Sequence, residues 1–274
     1  MIIAFMPCYN EAASIESAIY KTLENGVHWV IVSNDGSRDH SLAVLQGVAK
    51  NTGRVFVLNF LKNQGVATAK ITGFALAWLL FRHGLIPADA LLTKLDSDGQ
   101  HDPRYILKMA AELKRRDLDF LLSYRDFSVY PRFKVIGNKA VSLVASALTG
   151  RFIRDSMSGL KIMKMSVVGE ILSYFSGFRY AAAQEITMIP ALTRRRFAND
   201  FPVDIPIYKS GSGIRDGISV LRMSLACWWR VLRKRRLDPD ERSLAFLSHP
   251  NVRLVSYPPH LPLDGVLNIS LATV

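Results

Sequence analysis

The sequence predicts an α/β fold with a mostly parallel central sheet covered by helices on both faces. Three observations predict it. Short apolar runs alternate with longer helical stretches through the first half of the chain. Polar clusters stand where those runs end: Cys8-Tyr-Asn-Glu11, Asn34-Asp-Gly-Ser37 and Asp96-Ser-Asp-Gly-Gln100. Apolar residues make up 49% of the 274, enough to bury a core in one large domain. In open parallel sheets ligands bind beyond the carboxyl ends of the strands, so these clusters mark the expected site.

The elements follow in order. Ile2–Met6 reads as a strand and Glu11–Leu23 as a helix. Trp29–Ser33 and Val55–Leu58 are strands on either side of a helix over Asp39–Ala49. A long helix runs from Val66 to Arg82, then a strand over Ala90–Leu95. Pro103–Arg115 is a helix with proline in its first turn, and Phe120–Ser123 a further strand. The second half is less regular. Arg132–Leu148 reads as an amphipathic helix, Gly159–Met165 and Phe201–Ile207 as strands, and Ile214–Arg236 as a helix ending in a basic run. Residues 1–236 are therefore assigned to one catalytic domain. The polar, then proline-rich stretch 237–274 is expected to be a poorly ordered tail.

The 35 Lys and Arg exceed the 23 Asp and Glu by 12, a balance that attracts nucleotides, nucleic acid or acidic headgroups. The two cysteines, Cys8 and Cys227, suggest no disulfide framework. The N-terminal run lacks a basic segment and meets Pro7, so it does not read as a signal peptide, and no apolar run is long enough to span a membrane. No RRM, KH or zinc-finger pattern is present, so no nucleic-acid partner is expected.

Asp96-Ser-Asp98 carries the chemistry. Residues i and i+2 leaving a strand point the same way, so two carboxylates can converge on one cation. Hard oxygens suit Mg²⁺ or Mn²⁺, and such a metal neutralises a leaving diphosphate. Two other D-x-D triplets, Asp117-Leu-Asp119 and Asp238-Pro-Asp240, lack this context: neither follows an apolar strand. Asp35, in Asn34-Asp-Gly-Ser37, reads either as turn chemistry or as an acceptor for a base or ribose. Asn10 and Glu11 suit a helix start, and Tyr9 can stack on a base. Lys62-Asn-Gln-Gly65 opens a helix whose amides can face a phosphate. Neither G-x-x-x-x-G-K-[ST] nor a G-x-G-x-x-G after the first strand occurs.

In this order, five strings together resemble glycosyltransferase family 2, with a closer likeness to its dolichol-phosphate mannose synthase type and related polyprenyl-phosphate transferases. They are Pro7-Cys-Tyr-Asn-Glu11, Ser33-Asn-Asp-Gly-Ser-Arg-Asp39, Asn63-Gln-Gly-Val-Ala67 with Gly73, Asp96-Ser-Asp-Gly-Gln-His-Asp-Pro103, and Asp155-Ser-Met-Ser-Gly-Leu-Lys161. The resemblance covers about residues 2–236. It implies a GT-A type, Rossmann-like domain and inverting transfer from a nucleotide-diphosphate sugar. It implies metal binding by Asp96, Asp98 and Gln100, and nucleotide-sugar contacts from Pro7, Tyr9, Glu11, Asp35 and Asp96. Three departures stand out. Asn34 replaces a common aspartate, Val66 stands where a lysine or second glycine is frequent, and the C-terminal transmembrane helices of many relatives are missing.

A hydroxyl acceptor needs a general base, for which Glu185 is the available carboxylate; an ionised phosphate needs cations instead. Arg125 and Lys134 lie near the acceptor-phosphate positions of the resembled lipid enzymes, and Lys209 falls where relatives have an arginine. The segment 218–236, with Trp228, Trp229 and a basic end, suits a membrane interface. The expectation is a peripheral enzyme on the cytoplasmic membrane face, acting on a polyprenyl phosphate. Transfer to a glycan hydroxyl and nucleotidyl transfer stand as alternatives.

Overall fold

The computed structural model describes residues 1–128, 130–177, 181–204 and 214–263. The strands are β1 (Ile2–Cys8), β2 (Trp29–Asn34), β3 (Val55–Phe60), β4 (Leu91–Lys94), β5 (Phe120–Arg125), β6 (Lys161–Lys164), β7 (Phe197–Val203) and β8 (Val252–Ser256). The helices are α1 (Ile15–Glu24), α2 (Ser41–Thr52), α3 (Val66–Arg82), α4 (Arg104–Arg115), α5 (Arg132–Thr149), α6 (Met165–Tyr174), α7 (Ala181–Leu192), α8 (Ile214–Leu232) and α9 (Pro239–Leu247). The described strands form one sheet in the order β7-β5-β6-β4-β1-β2-β3-β8. It is mostly parallel; β6 runs against β4 and β5, and β8 against β3.

Strand alternation sorts the core into two layers. Ile3, Phe5, Ile31 and Phe56 point to the side of α3, where Ile71, Phe74 and Trp78 meet them. Ala4, Met6, Val30 and Val32 point the other way, against Ile15 and Ile19 of α1, Leu45 of α2 and Ile106 of α4. Gly73 lets α3 close onto β1, because a Cβ there would run into the Phe5 ring. Parallel β1, β2 and β4 thus end at one edge of the sheet, where Cys8, Asn34 and Lys94 lead into the polar clusters.

The expected tail is corrected over 238–263. Asp238 caps α9, its side chain accepting from the Asp240 and Glu241 amides, with Pro239 at the first helical position. Asp240 then accepts from Trp78 Nε1 (2.6 Å) and Arg82 Nε (3.1 Å) of α3. Beyond it β8 extends the sheet along β3, burying Val252 and Leu254, and Leu263 is buried in the same layer as α3. Residues 264–274 lie outside the described part. The other dismissed triplet is also structural: Asp117 and Asp119 pair with Lys164 and Arg196.

Candidate active site

A cavity of about 850 Å³ opens at the carboxyl ends of β1, β2 and β4. It brings together Pro7, Tyr9, Glu11, Asp35, Asp96 and Asp98, residues spread over 92 positions of sequence (98 − 7 + 1). The remaining wall is the start of α3, from Asn63 to Ala69, with Gly177 opposite. Gly65 sits at φ +90° before the first turn of α3, a backbone conformation that favours glycine. The free amides of that turn and the helix dipole favour an anion there.

The walls are tied together by side chains that the sequence displays as short polar strings. Asp35 Oδ1 accepts from the Gln64 amide (2.7 Å) and its carbonyl from Asn63 Nδ2 (3.0 Å). Asp35 is buried, which pushes its carboxyl up, while the Gln64 and Gly65 amides pull it back. Gly36, at φ +64°, leaves space that the Asn63 backbone fills; a Cβ would stand 2.5 Å from its nitrogen. Asn34, one of the departures noted above, is buried; it donates to Asn59 Oδ1 (2.8 Å) and accepts from Ser37 Oγ (2.5 Å). The amide donor is what the Asn59 carbonyl requires, so the asparagine serves β2 and β3. Ser37, Ser41 and Asp39 in turn accept from the amides of Asn10, Glu11 and Ala12 and fix the loop carrying Tyr9.

Asp96 stands in a basic setting. Its Oδ1 pairs with Lys94 and its Oδ2 with His101 Nε2 (3.1 Å). Burial opposes its charge, but Lys94, the His101 hydrogen bond and Lys70 outweigh it and hold the carboxyl well below the usual range. Lys70, Lys94 and Lys161 are all buried around it. Burial and the Lys94 charge push Lys70 down to about 7. Lys161 donates to the Ala183 carbonyl (3.0 Å) and Thr187 Oγ1 (2.6 Å). Asp98 Oδ1 accepts from the Gln100 amide (3.0 Å). Sequence reading missed Lys70 and Lys94 and met Lys161 only as the end of the string Asp155–Lys161. Their remaining signal was position: Lys94 ends the apolar strand β4, Lys161 begins β6, and Lys70 interrupts an apolar helix.

Two acceptor-only carboxylates in one cavity suit a hard divalent cation, and Mg²⁺ ordinarily takes one or two carboxylates with substrate phosphates completing its shell. Among the described residues no group of three His, Cys, Asp or Glu converges as a complete metal cage. Gln100 faces a neighbouring recess, together with His101 and Lys21, and not the main cavity.

The acceptor-side residues are not assembled. Arg125 forms a two-pronged pair with Asp155 (2.7 and 2.8 Å), which outweighs burial and raises its guanidinium further above its usual range. It lines a second cavity of about 490 Å³ with Lys139, Leu143 and Phe152, but not Lys134. Lys134 is half-buried at the start of α5, its Nζ 5.8 Å from the Phe133 ring. Lys209 lies outside the described residues. Glu185 is fully buried and absent from the lining of both cavities. It accepts from Ser176 Oγ (2.7 Å), the Gly177 amide (2.8 Å) and Arg230 (3.3 Å). Arg230, within the segment 218–236 expected at a membrane interface, is turned inward by these bonds.

The string Asp155–Lys161 is the frame behind the cavity. Asp155 holds Arg125, Ser158 meets Ser123 (2.7 Å), and Lys161 anchors α7. Gly159 leaves room for the Asp96–His101 pair, which a Cβ would strike.

Comparison with known proteins agrees with this fold. A dolichyl-phosphate N-acetylglucosaminyltransferase of Methanococcus voltae that uses UDP-N-acetylglucosamine is 25% identical over 206 residues, covering 69% of this chain and 79% of the relative. A dodecaprenyl-phosphate galacturonate synthase of Rhizobium johnstonii is 24% identical, covering 68% of this chain and 54% of its own. Among solved structures, glucosyl-3-phosphoglycerate synthase of Mycobacterium tuberculosis superposes with a TM-score of 0.59 at 16% identity, covering 86% of this chain and 80% of that one, a likeness of fold. The family description "Glycosyl transferase family 2" matches residues 3–187, from β1 into α7. That span holds every residue lining the main cavity, and the chain belongs to glycosyltransferase family 2.

Proposed function

We propose that the chain transfers a sugar from a nucleoside diphosphate to a polyprenyl phosphate at a membrane surface, with inversion and with a divalent metal. The observation that carries the donor half is the single cavity uniting Tyr9, Asp35, Asp96 and Asp98. Tyr9, partly exposed at its rim, offers a stacking face for the base. The α3 amides receive the diphosphate. Asp96 and Asp98 hold the metal, which neutralises the leaving diphosphate when bound. Lys94, the His101 hydrogen bond and Lys70 favour the ionised form of Asp96, the form a metal would require. A related structure contains Mn²⁺ and UDP, which supports both the metal and the nucleotide class.

The acceptor half rests on two supports. Several relatives are named for polyprenyl-phosphate acceptors. In addition Glu185, the carboxylate a hydroxyl acceptor would use, is buried and fully engaged, whereas a phosphate oxygen needs no base. Arg125, held by Asp155 over the rings of Phe127 and Tyr130, is the candidate cation for that phosphate, which would have to share it with Asp155, and Lys134 and Lys209 are further candidates. No described helix is long and apolar enough to cross a membrane, so attachment through described residues is at the surface. The cytoplasmic face is proposed because nucleotide sugars are its substrates.

Calorimetry with UDP and GDP, with and without Mn²⁺, tests the donor site. Asp98→Ala should weaken metal-dependent binding about tenfold or more, as expected for a lost metal ligand. It should leave metal-free binding and the unfolding midpoint unchanged. Equal affinities for wild type and variant in the presence of Mn²⁺ contradict the assignment.

A further inference from the structure

Helix α5 is apolar on both sides. Its inner side, with Val141 and Ala145, packs into the domain. The outer side of a surface helix is ordinarily polar. Here Phe133, Ile136, Ala140, Leu143 and Ala147 follow at alternating spacings of three and four residues, and all are exposed. The large ones are 62% (Phe133), 68% (Ile136) and 70% (Leu143) exposed, and Phe152 just beyond the helix is 74% exposed. An ordered apolar stripe of this kind marks an interaction surface.

Charge identifies the partner. From Phe127 to Arg154 the sequence contains no Asp or Glu, while Arg132, Lys134, Lys139, Arg151 and Arg154 all fall within it. Arg132 and Lys139 are exposed on the same helix as the stripe. Two copies of so cationic a face repel each other in an isologous contact, whereas an anionic lipid surface attracts it. Apolar residues flanked by Lys and Arg are the composition of a helix that lies in a bilayer interface. Helix α8 packs against α5 and exposes Leu225, Trp229 and Leu232.

We propose that the outer face of α5 docks on an anionic bilayer, with Phe133, Ile136 and Leu143 entering the boundary between headgroups and acyl chains. Arg132 and Lys139 meet lipid phosphates at that depth. The proposal deepens the lipid-acceptor reading and rests on it for its purpose: Leu143 and Phe152 also line the Arg125 cavity, so docking α5 brings that cavity to the membrane.

The test is flotation of the full chain with phosphatidylglycerol–phosphatidylcholine vesicles at low and high salt. It compares wild type with the double variant Phe133→Ser, Ile136→Ser. Both side chains are exposed, so the unfolding midpoint and nucleotide affinity should be unchanged. The variant should partition into anionic vesicles about tenfold less or worse, since loss of buried apolar area weakens interfacial binding. Equal flotation of the two proteins overturns the proposal, as does failure of the wild type to float. A wild-type dimer that becomes monomeric in the variant with flotation unaltered also overturns it, and gives the face to self-association. Transfer assays separate this from the acceptor reading. A short water-soluble polyprenyl phosphate should be used equally by both proteins, and a long-chain one in vesicles poorly by the variant alone. Variant-sensitive flotation without transfer to either lipid sustains docking and rejects the acceptor.

Discussion

At Gly159 the missing side chain is what matters. The Asp96 carboxylate and the His101 ring occupy the space where a Cβ would stand, so one methyl group displaces the pair on which the D-x-D geometry depends. Gly159→Ala should cost about 1–3 kcal/mol of stability, as for other overpacking changes. It should also depress kcat strongly while nucleotide affinity without metal is spared. Thermal unfolding and metal titration check both; a variant as active as wild type contradicts the packing account. Glu185 is the second residue whose role follows from its contacts. Removing its charge leaves Arg230 half-buried opposite a neutral amide and frees the Ser176–Gly177 backbone beside the donor cavity. Glu185→Gln should destabilise by about 3 kcal/mol and raise the donor KM, yet leave the acid limb of the kcat–pH profile in place. Loss of that limb with an unchanged unfolding midpoint would mark Glu185 as a base. The sequence displayed Asp35, Asp96 and Asp98 because each follows an apolar run. It hid Lys70, Lys94 and Lys161 because a lysine in an apolar segment looks the same whether its ammonium reaches solvent or, as with Lys94 and Lys161, a carboxylate or a buried carbonyl.

At the scale of elements, the C-terminal part behaves as a component of the fold. Helix α9 lies on α3 through the Trp78–Asp240 and Arg82–Asp240 bonds, and β8 covers the edge of β3. Asp240→Ala leaves the Trp78 N–H without its acceptor and should cost about 1–3 kcal/mol. Ending the chain at residue 237 should do more, exposing the β3 edge and the contacts of Leu247, Val252 and Leu254. The truncated protein should bind a hydrophobic dye and aggregate; a truncated protein that melts like the full chain contradicts this. The first-half elements were legible because continuous apolar runs of strand length, buried on both faces, alternate there with longer helical stretches and end in polar clusters. The last two were not. Prolines at 258, 259 and 262 suggested disorder, while the signals that mattered were a single Asp-Pro cap and the alternation of Val252 and Leu254.

For the whole molecule, the mostly parallel sheet was legible from the alternation of elements, and the residues that line the main cavity from the polar strings at strand ends. The acceptor side was not, because Arg125 ends strand β5 while Lys134 lies in helix α5, with no common register between them, and the two face different surroundings. The main cavity at the sheet edge, proposed for the donor, and the cationic, partly apolar side formed by α5 and α8, proposed for the lipid, together define the two substrates. The direct measurement is transfer of radiolabelled sugar from a panel of nucleotide sugars, with Mn²⁺, to undecaprenyl phosphate in anionic vesicles. The account predicts a labelled lipid whose sugar is released by mild acid, formed with a nucleoside diphosphate as the second product and abolished in Asp98→Ala. Label found in a glycan hydroxyl linkage, with none in the lipid phosphate, contradicts it.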